Sequence, residues 1–241
     1  EYFGSLTSTP TTAMLAPPLP EDTWFYQFDL ENRQVIYQAN QSVLRLPLPL
    51  DPMHGTVGVA PALGEVRSAL APGNFGGNMD TPELRPHTTS YFGVNVPGAM
   101  FSLGDGHARQ GEGETCGVAV ECAMDSVFIV ELIKGGAPAW PRIETDEYLI
   151  TTGSVKPLED AFRIANVEMV NWVAELLEIG TMDAYQLVSQ INLSPVANVV
   201  DTVYTMACKV PKKLLGETAA KAFGGTHDAL RRKAQEWAAA N

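Results

Sequence analysis

The stretch "GDGHARQGEGE", Gly104 to Glu114, sets a histidine among three acidic side chains on glycine-rich backbone, in a chain with only four histidines. Asp105 and His107 are two residues apart, so on an extended segment both side chains face the same side. A carboxylate and an imidazole are common ligands for zinc and other divalent metals. Asp80, which closes the glycine-rich "APGNFGGNMD" (71–80), is a candidate third ligand. Glu112 and Glu114, again two apart, offer a further ligand and a general base. Catalytic zinc keeps about three protein ligands and an open position for water, whose pKa it lowers to about 7. Spacing alone fits equally well a glycine-rich turn whose charges face solvent, with His107 merely hydrogen-bonded.

Other chemistries find less support. An EF-hand loop starting at Asp105 needs glycine at its sixth position, where Gln110 stands. No GK[ST] follows as in a phosphate loop, and no GxSxG marks a serine hydrolase. Cys116 is near His107 in sequence but sits in an apolar, strand-like run, which favours packing over nucleophilic chemistry. The three cysteines, Cys116, Cys122 and Cys208, form neither an even disulfide framework nor a zinc knuckle, and are expected to be buried thiols in a reducing compartment. A net charge of −12 argues against nucleic acid, which requires clustered cations. No apolar run approaches the roughly 20 residues of a membrane span.

Several elements must position these residues. The predicted fold is α+β, a β-rich body with sandwich- or barrel-like character and a helix-containing C-terminal part. Residues 1–24, Thr/Pro-rich, read as extended linker, 25–152 as the β-rich body carrying the site loops, 153–215 as an α+β return, and 216–241 as a peripheral helix. Within the body, 23–43 predicts two strands around a turn at Glu31–Asn32. The proline-rich 44–62 predicts a bent covering segment, and 71–80 a loop. Short strands are expected between 88 and 108, and one or two buried strands in "TCGVAVECAMDSVFIVEL" (115–132). Between Lys156 and Ile179, the stripe Leu158, Phe162, Ala165, Met169, Trp172, Val173, Leu176 and Leu177 predicts a helix. Pro157 suits its first turn and Gly180 its stop. A shorter helix follows around 182–190 with Thr181 as cap. "VANVVDTVYTMACKVP" (196–211) reads as one long strand.

The segments "GGNMD" (76–80) and "VPGAMFSLGDGHARQGEGETCGVAVE" (96–121) resemble the signature of the acetamidase/formamidase family. So do "GTVGVAP" (55–61), "WPRIET" (140–145), "KPLEDAFRIANVEMVNWV" (156–173) and "ANVVDTVYTMACKVPKKLL" (197–215), and the resemblance covers roughly residues 25–215. It departs at Glu112, where the family's usual "QGDGE" reads "QGEGE", and in an N-terminal region that members carry before this part.

The resemblance implies a metal-dependent hydrolase that cleaves small linear amides, such as acetamide or formamide, to a carboxylate and ammonia. It implies a divalent metal, zinc foremost, on Asp80, Asp105 and His107, with Glu112 and Glu121 as further ligands. Glu121 is alternatively a buried partner for His107. Glu114 is then the proton-transfer group, Asn78 an oxyanion donor, and Gln110 the residue that holds the loop or the substrate amide. Phe101, Met100 and Trp140 are candidates for an apolar wall. A non-catalytic or processed member acting as a binding subunit, or a hydrolase of another amide such as a lactam, are the alternatives. Expected partners are the small amide and either a second copy of the chain or a separate N-terminal segment, with no nucleic acid and no membrane. The expected compartment is the cytoplasm, or outside it if an upstream signal was removed.

Overall fold

A computed structural model describes residues 2–8, 14, 17 and 19–240. In chain order the strands are β1 (Tyr2–Ser8), β2 (Asp22–Asp29), β3 (Gln34–Gln38), β4 (Arg45–Pro49), β5 (Met53–Gly58), β6 (Gly76–Asn78), β7 (Thr89–Tyr91), β8 (Ser102–His107), β9 (Arg142–Glu144) and β10 (Tyr148–Val155). Helices α1 (Leu158–Leu177) and α2 (Thr181–Ile191) lead to β11 (Val196–Asn198) and β12 (Tyr204–Pro211). A one-turn α3 (Lys212–Leu215), a stretch of 3-10 turns and α4 (Thr226–Ala240) close the chain. The strands form three antiparallel sheets, ordered β1-β2-β3-β4, β6-β5-β8 and β11-β12-β10-β9-β7. This is the α+β architecture expected from the sequence. None of the described helices is long and apolar enough to cross a membrane.

The five-stranded sheet is covered on both faces, and alternation along its strands assigns the two cores. Leu149, Met206, Cys208 and Val210 pack with Ala161, Ala165, Met169 and Val173 of α1. Ile150, Ala207 and Ile143 face the other way, onto Val57 of β5 and Met79 just after β6. A third cluster joins Tyr26 and Val35 of the four-stranded sheet to Ala108 and Val120. Those last two residues immediately follow His107 and precede Glu121, so this core fixes the backbone on both sides of the site.

The stripe of α1 is buried as expected at Ala165, Met169, Trp172 and Val173, while Phe162 stays 42% exposed. Arg142 of β9 anchors the helix from the sheet. It donates to Glu168 at 2.7 Å and Glu175 at 3.1 Å, with its guanidinium over the Trp172 ring. Pro157 is the N-cap, just before the first turn. Glu178, with φ +53, ends α1, and Gly180 caps α2 in place of Thr181.

Gly153 is where β10 and α1 touch. A Cβ there would lie 2.4 Å from the Ala161 carbonyl oxygen and 2.8 Å from the Ala165 nitrogen. Both are backbone atoms that cannot rotate away. Gly153→Ala is therefore expected to destabilise the fold by about 1–3 kcal/mol, seen as a lowered melting temperature. An unchanged melting temperature would contradict this contact.

The fold departs from expectation in several places. Residues 2–8, expected as linker, form β1 against β2, consistent with their aromatic and β-branched content. The linker expectation for the Thr/Pro stretch that follows falls mostly outside the described residues. The proline-rich segment is two strands, not a bent cover. Pro47 and Pro49 are tolerated because β4 is an edge strand, needing no donor on its outer side. Residues 76–78 of the expected loop form β6.

Residues 115–132 contain no strand, only an isolated bridge at Glu121, and Val127 to Ile133 are exposed. Apolar, β-prone residues make a strand only when they keep pairing along a sheet edge, and this run pairs with the edge strand β8 around Glu121 alone. The expected long strand at 196–211 is two antiparallel strands, β11 and β12, joined by a bent connection. Of the three thiols only Cys208 is buried. Cys116 and Cys122 are half-buried because their segment runs outside the sheets. The C-terminal helix begins at Thr226, with 3-10 turns before it. His227 ties it down, within hydrogen-bond reach of Thr89 Oγ1 at 2.9 Å and Asp146 at 3.0 Å.

Candidate metal centre and active site

β5 and β8 build the floor of the site. Their register places Gly55 between the pairs His54–Gly106 and Thr56–Gly104, directly opposite Asp105. Asp105 and His107 project to the same side, with His107 Nε2 3.2 Å from Asp105 Oδ1. Asp80 follows β6, and its Oδ1 lies 4.0 Å from the same nitrogen. Glu121 reaches Nε2 at 3.4 Å through the backbone bridge between residues 107 and 121. Glu114 enters from the turn after the loop and is buried.

Two groups of ligand atoms within 4.8 Å of one another result, Asp80–His107–Glu114 and Asp105–His107–Glu121, sharing the imidazole. Asp80, Asp105 and Glu114 all hold φ near +50°, at 45°, 59° and 48°. Non-glycine residues seldom occupy that left-handed region, and such strain collects at functional sites.

Gln110 decides which imidazole nitrogen is available. Its Nε2 donates to the carbonyls of Asp80, at 2.5 Å, and Ala197, at 3.2 Å. Its Oε1 must then be an acceptor, so His107 Nδ1 donates to it at 2.9 Å. In the neutral ring the lone pair belongs to Nε2, aimed at the carboxylates. Gln110 therefore holds the loop rather than the substrate.

The electrostatics are those of crowded, buried acids. Burial lowers the affinity of His107 for its proton, but Asp105, Glu121 and Glu114 outweigh it and raise the imidazole to about 9. Burial, partly offset by His107 and reinforced by Asp201, Glu121 and Asp105, pushes Glu114 up to about 8. Asp80 is raised well above the carboxylate range by burial, then by the Glu114 charge. Burial raises Asp105 too, yet its contacts with His107 and Thr56 prevail and lower it.

Asp80 Oδ1 is buried without a hydrogen-bond partner, although Oδ2 of the same carboxylate accepts from Asn78 at 2.7 Å and Asn198 at 2.9 Å. A buried charged oxygen without a partner is costly. A Cβ on Gly55 would lie 2.3 Å from Asp105 Oδ2 and 2.4 Å from Asp80 Oδ1, so the missing side chain leaves these oxygens their space. One imidazole nitrogen, several carboxylates and this orphaned oxygen fit a divalent cation of the zinc type.

The remaining expected residues fall differently. Glu112 joins neither ligand group: beyond Gly113, with φ +84, it is exposed and feels Glu83 and Lys209. Asn78 cannot serve as an oxyanion donor here. Its two N–H groups are spent on Asp80 and on Asp201 at 2.8 Å, and its oxygen accepts from Thr56 at 2.6 Å. Met100 and Phe101 are exposed, and Trp140 does not line the cleft. Leu70, Leu103 and Val118 form its apolar wall instead, around a volume of about 600 Å³.

Two site residues escape the sequence reading, Asn198 and Asp201. Asn198 Nδ2 lies within hydrogen-bond distance of Asp80, of Glu114 at 2.8 Å and of Asp201 at 2.9 Å, its two N–H groups shared among the three carboxylates. Both lie in "ANVVD", where a period-two pattern runs unbroken through what is a turn.

A fold and a site of this kind can be compared with known proteins. The family model described as the Acetamidase/Formamidase family matches residues 4–212, and the chain belongs to that family. The crystal structure of an acetamidase from Yersinia enterocolitica is 40% identical, with a TM-score of 0.77, covering 89% of this chain and 63% of that one. The crystal structure of a predicted acetamidase/formamidase from the thermophile Thermoanaerobacter tengcongensis is 30% identical, with a TM-score of 0.80, covering 89% of this chain and 69% of that one. The acetamidase of Mycolicibacterium smegmatis is 36% identical over 123 aligned residues, 46% of this chain and 29% of that protein. The chain thus spans less than two thirds of the Yersinia protein, and its match less than one third of the mycobacterial one.

Proposed function

We propose that the chain hydrolyses the C–N bond of small linear amides to carboxylate and ammonia, using a divalent cation, zinc foremost. The observation that carries this is the buried, unpartnered Asp80 Oδ1 converging with His107 Nε2 at the floor of a cleft. Asp80, Asp105, His107 and Glu121 are the residues that would hold the cation, with Glu114 beside them. Such a cation supplies Lewis-acid polarisation of the amide carbonyl and makes water acidic enough to attack near neutral pH.

The chain's own residues do the rest. Amide nitrogen leaves as ammonia only when protonated, so a group that carries a proton near neutrality must sit beside it. Glu114, raised to about 8, is that group. Asn198 holds its carboxylate by Oε2. Gln110 fixes the His107 tautomer, and Asn78 orients Asp80. The walls of Leu70, Leu103 and Val118 suit a short alkyl group.

Glu114→Gln tests the proton role. Glutamine still accepts from Asn198 but carries no transferable proton. Ammonia release from acetamide should fall by about 10²-fold or more, while elemental analysis finds the metal retained. Loss of metal along with activity would make Glu114 a ligand instead, and undiminished turnover would remove it from the mechanism.

A further inference from the structure

We propose that Asp201 receives the nitrogen end of the substrate, its Oδ1 accepting an N–H of the scissile amide, so that the cleft selects amides bearing hydrogen on nitrogen. This rests on the amide-hydrolase reading and adds the group that sets its substrate preference.

Asp201 lies in the connection between β11 and β12 and lines the same cleft as Asp80, Asp105, Glu114 and Glu121. Its backbone is fixed from two sides. Asn198 Oδ1 accepts the N–H groups of Val200, at 3.0 Å, and Asp201, at 3.2 Å. The Thr202 hydroxyl donates to the Leu70 carbonyl at 3.0 Å, tying the turn to the cleft wall. The carboxylate is fixed as well: Oδ2 accepts from Asn78 at 2.8 Å and Asn198 at 2.9 Å. No N–H or hydroxyl group among the described residues donates to Oδ1, the side chain is only partly buried, and the one carboxyl in hydrogen-bond contact with Asp201 is that of Asp80.

Asp201 belongs to neither ligand group, so its free oxygen is not committed to a cation. A carboxylate only accepts hydrogen bonds. A primary amide offers one acceptor, its carbonyl oxygen, and two donors on nitrogen. The nitrogen of a bound primary amide needs an acceptor in this cleft, and Oδ1 of Asp201 is in place to be one. An ester has no donor to offer it, and an ammonium product is matched to the same oxygen.

Asp201→Asn turns this into a test because the surroundings dictate how the new amide sits. Asn78 and Asn198 both donate to the Oδ2 position, so the variant must place its own oxygen there. Its NH₂ then points where Oδ1 was, and an acceptor becomes a donor of the same shape. We expect kcat/KM for acetamide to fall about 10–100-fold, as for a lost hydrogen bond to a charged group. Binding of methyl acetate, followed by ligand-observed NMR, should stay within about threefold, since an ester makes no use of the acceptor. Asp201→Glu, which keeps an acceptor, should retain the amide preference.

Acetamide binding followed by ligand-observed NMR needs no turnover and should weaken by the same factor in Asp201→Asn. Equal losses for amide and ester, or unchanged acetamide binding, would overturn the proposal. A wild-type protein that binds acetamide more tightly than the variant yet releases no ammonia would leave the inference standing and remove the hydrolase reading beneath it. Metal content and melting temperature of the variant should match wild type; loss of either would make Asp201 a structural residue and overturn the inference.

Discussion

Gly55→Ala should abolish metal binding and amide hydrolysis while leaving every candidate ligand in the sequence. The added methyl would occupy the space 2.3 Å from Asp105 Oδ2 and 2.4 Å from Asp80 Oδ1. Those atoms are the ends of side chains, which can swing aside where backbone cannot. The fold should therefore survive, with a melting temperature close to wild type, while the carboxylates are driven off their convergence point. A displacement of about 1 Å at a reacting centre can cost about 10²-fold in rate, and here two ligand oxygens move together. We expect ammonia release to drop by at least that factor, and metal content to fall in proportion. Retained metal with retained activity would mean that Asp80 Oδ1 and Asp105 Oδ2 do not face the cation.

His107→Ala should have the largest effect of any single substitution, because the imidazole is shared by both ligand groups. Without it, four carboxylates converge with no nitrogen ligand and no compensating positive charge. Turnover is expected to fall by roughly 10³-fold or more, together with zinc content.

Zinc binding by the wild-type protein should also depend on pH. His107 holds a proton up to about 9, and a cation needs the neutral ring, so proton and metal compete for Nε2. Zinc affinity should rise with pH up to that value, and uptake at neutral pH should release a proton. Isothermal titration in buffers of different ionisation enthalpy measures that release. A His107→Ala protein with full zinc occupancy would reassign the site to oxygen ligands alone.

Much of the fold could be read from the sequence because its signals are local and periodic. The stripe of α1 follows helical spacing, and Asp105 and His107 share a face because a strand alternates. What escaped was decided by distant partners. The run 115–132 has the composition of a strand, but it pairs with the edge strand β8 only around Glu121, and Val127 to Ile133 remain exposed. Conversely, prolines at 47 and 49 disfavour a strand until one knows that β4 is an edge.

The site divides in the same way. Its candidate cation ligands Asp80, Asp105, His107 and Glu121, and the candidate proton carrier Glu114, have types that announce their chemistry. Asn198 and Asp201 have ordinary side chains whose roles arise only because β11 pairs with β12 and turns them onto Asp80 and Asn78. Glu112 was misleading for a geometric reason. It is two residues from Glu114, as the alternation rule requires, but Gly113 turns the backbone between them.

On the proposed function, a cation held on Asp80 and His107 would be what lets this cleft cleave an amide. The most direct measurement strips the protein with a chelator, returns zinc in steps, and records bound zinc and ammonia released from acetamide on the same samples. The stripped protein should be inactive, and activity should rise in proportion to zinc, saturating at about one or two ions per chain. Ammonia release by the fully stripped protein at the wild-type rate would contradict it.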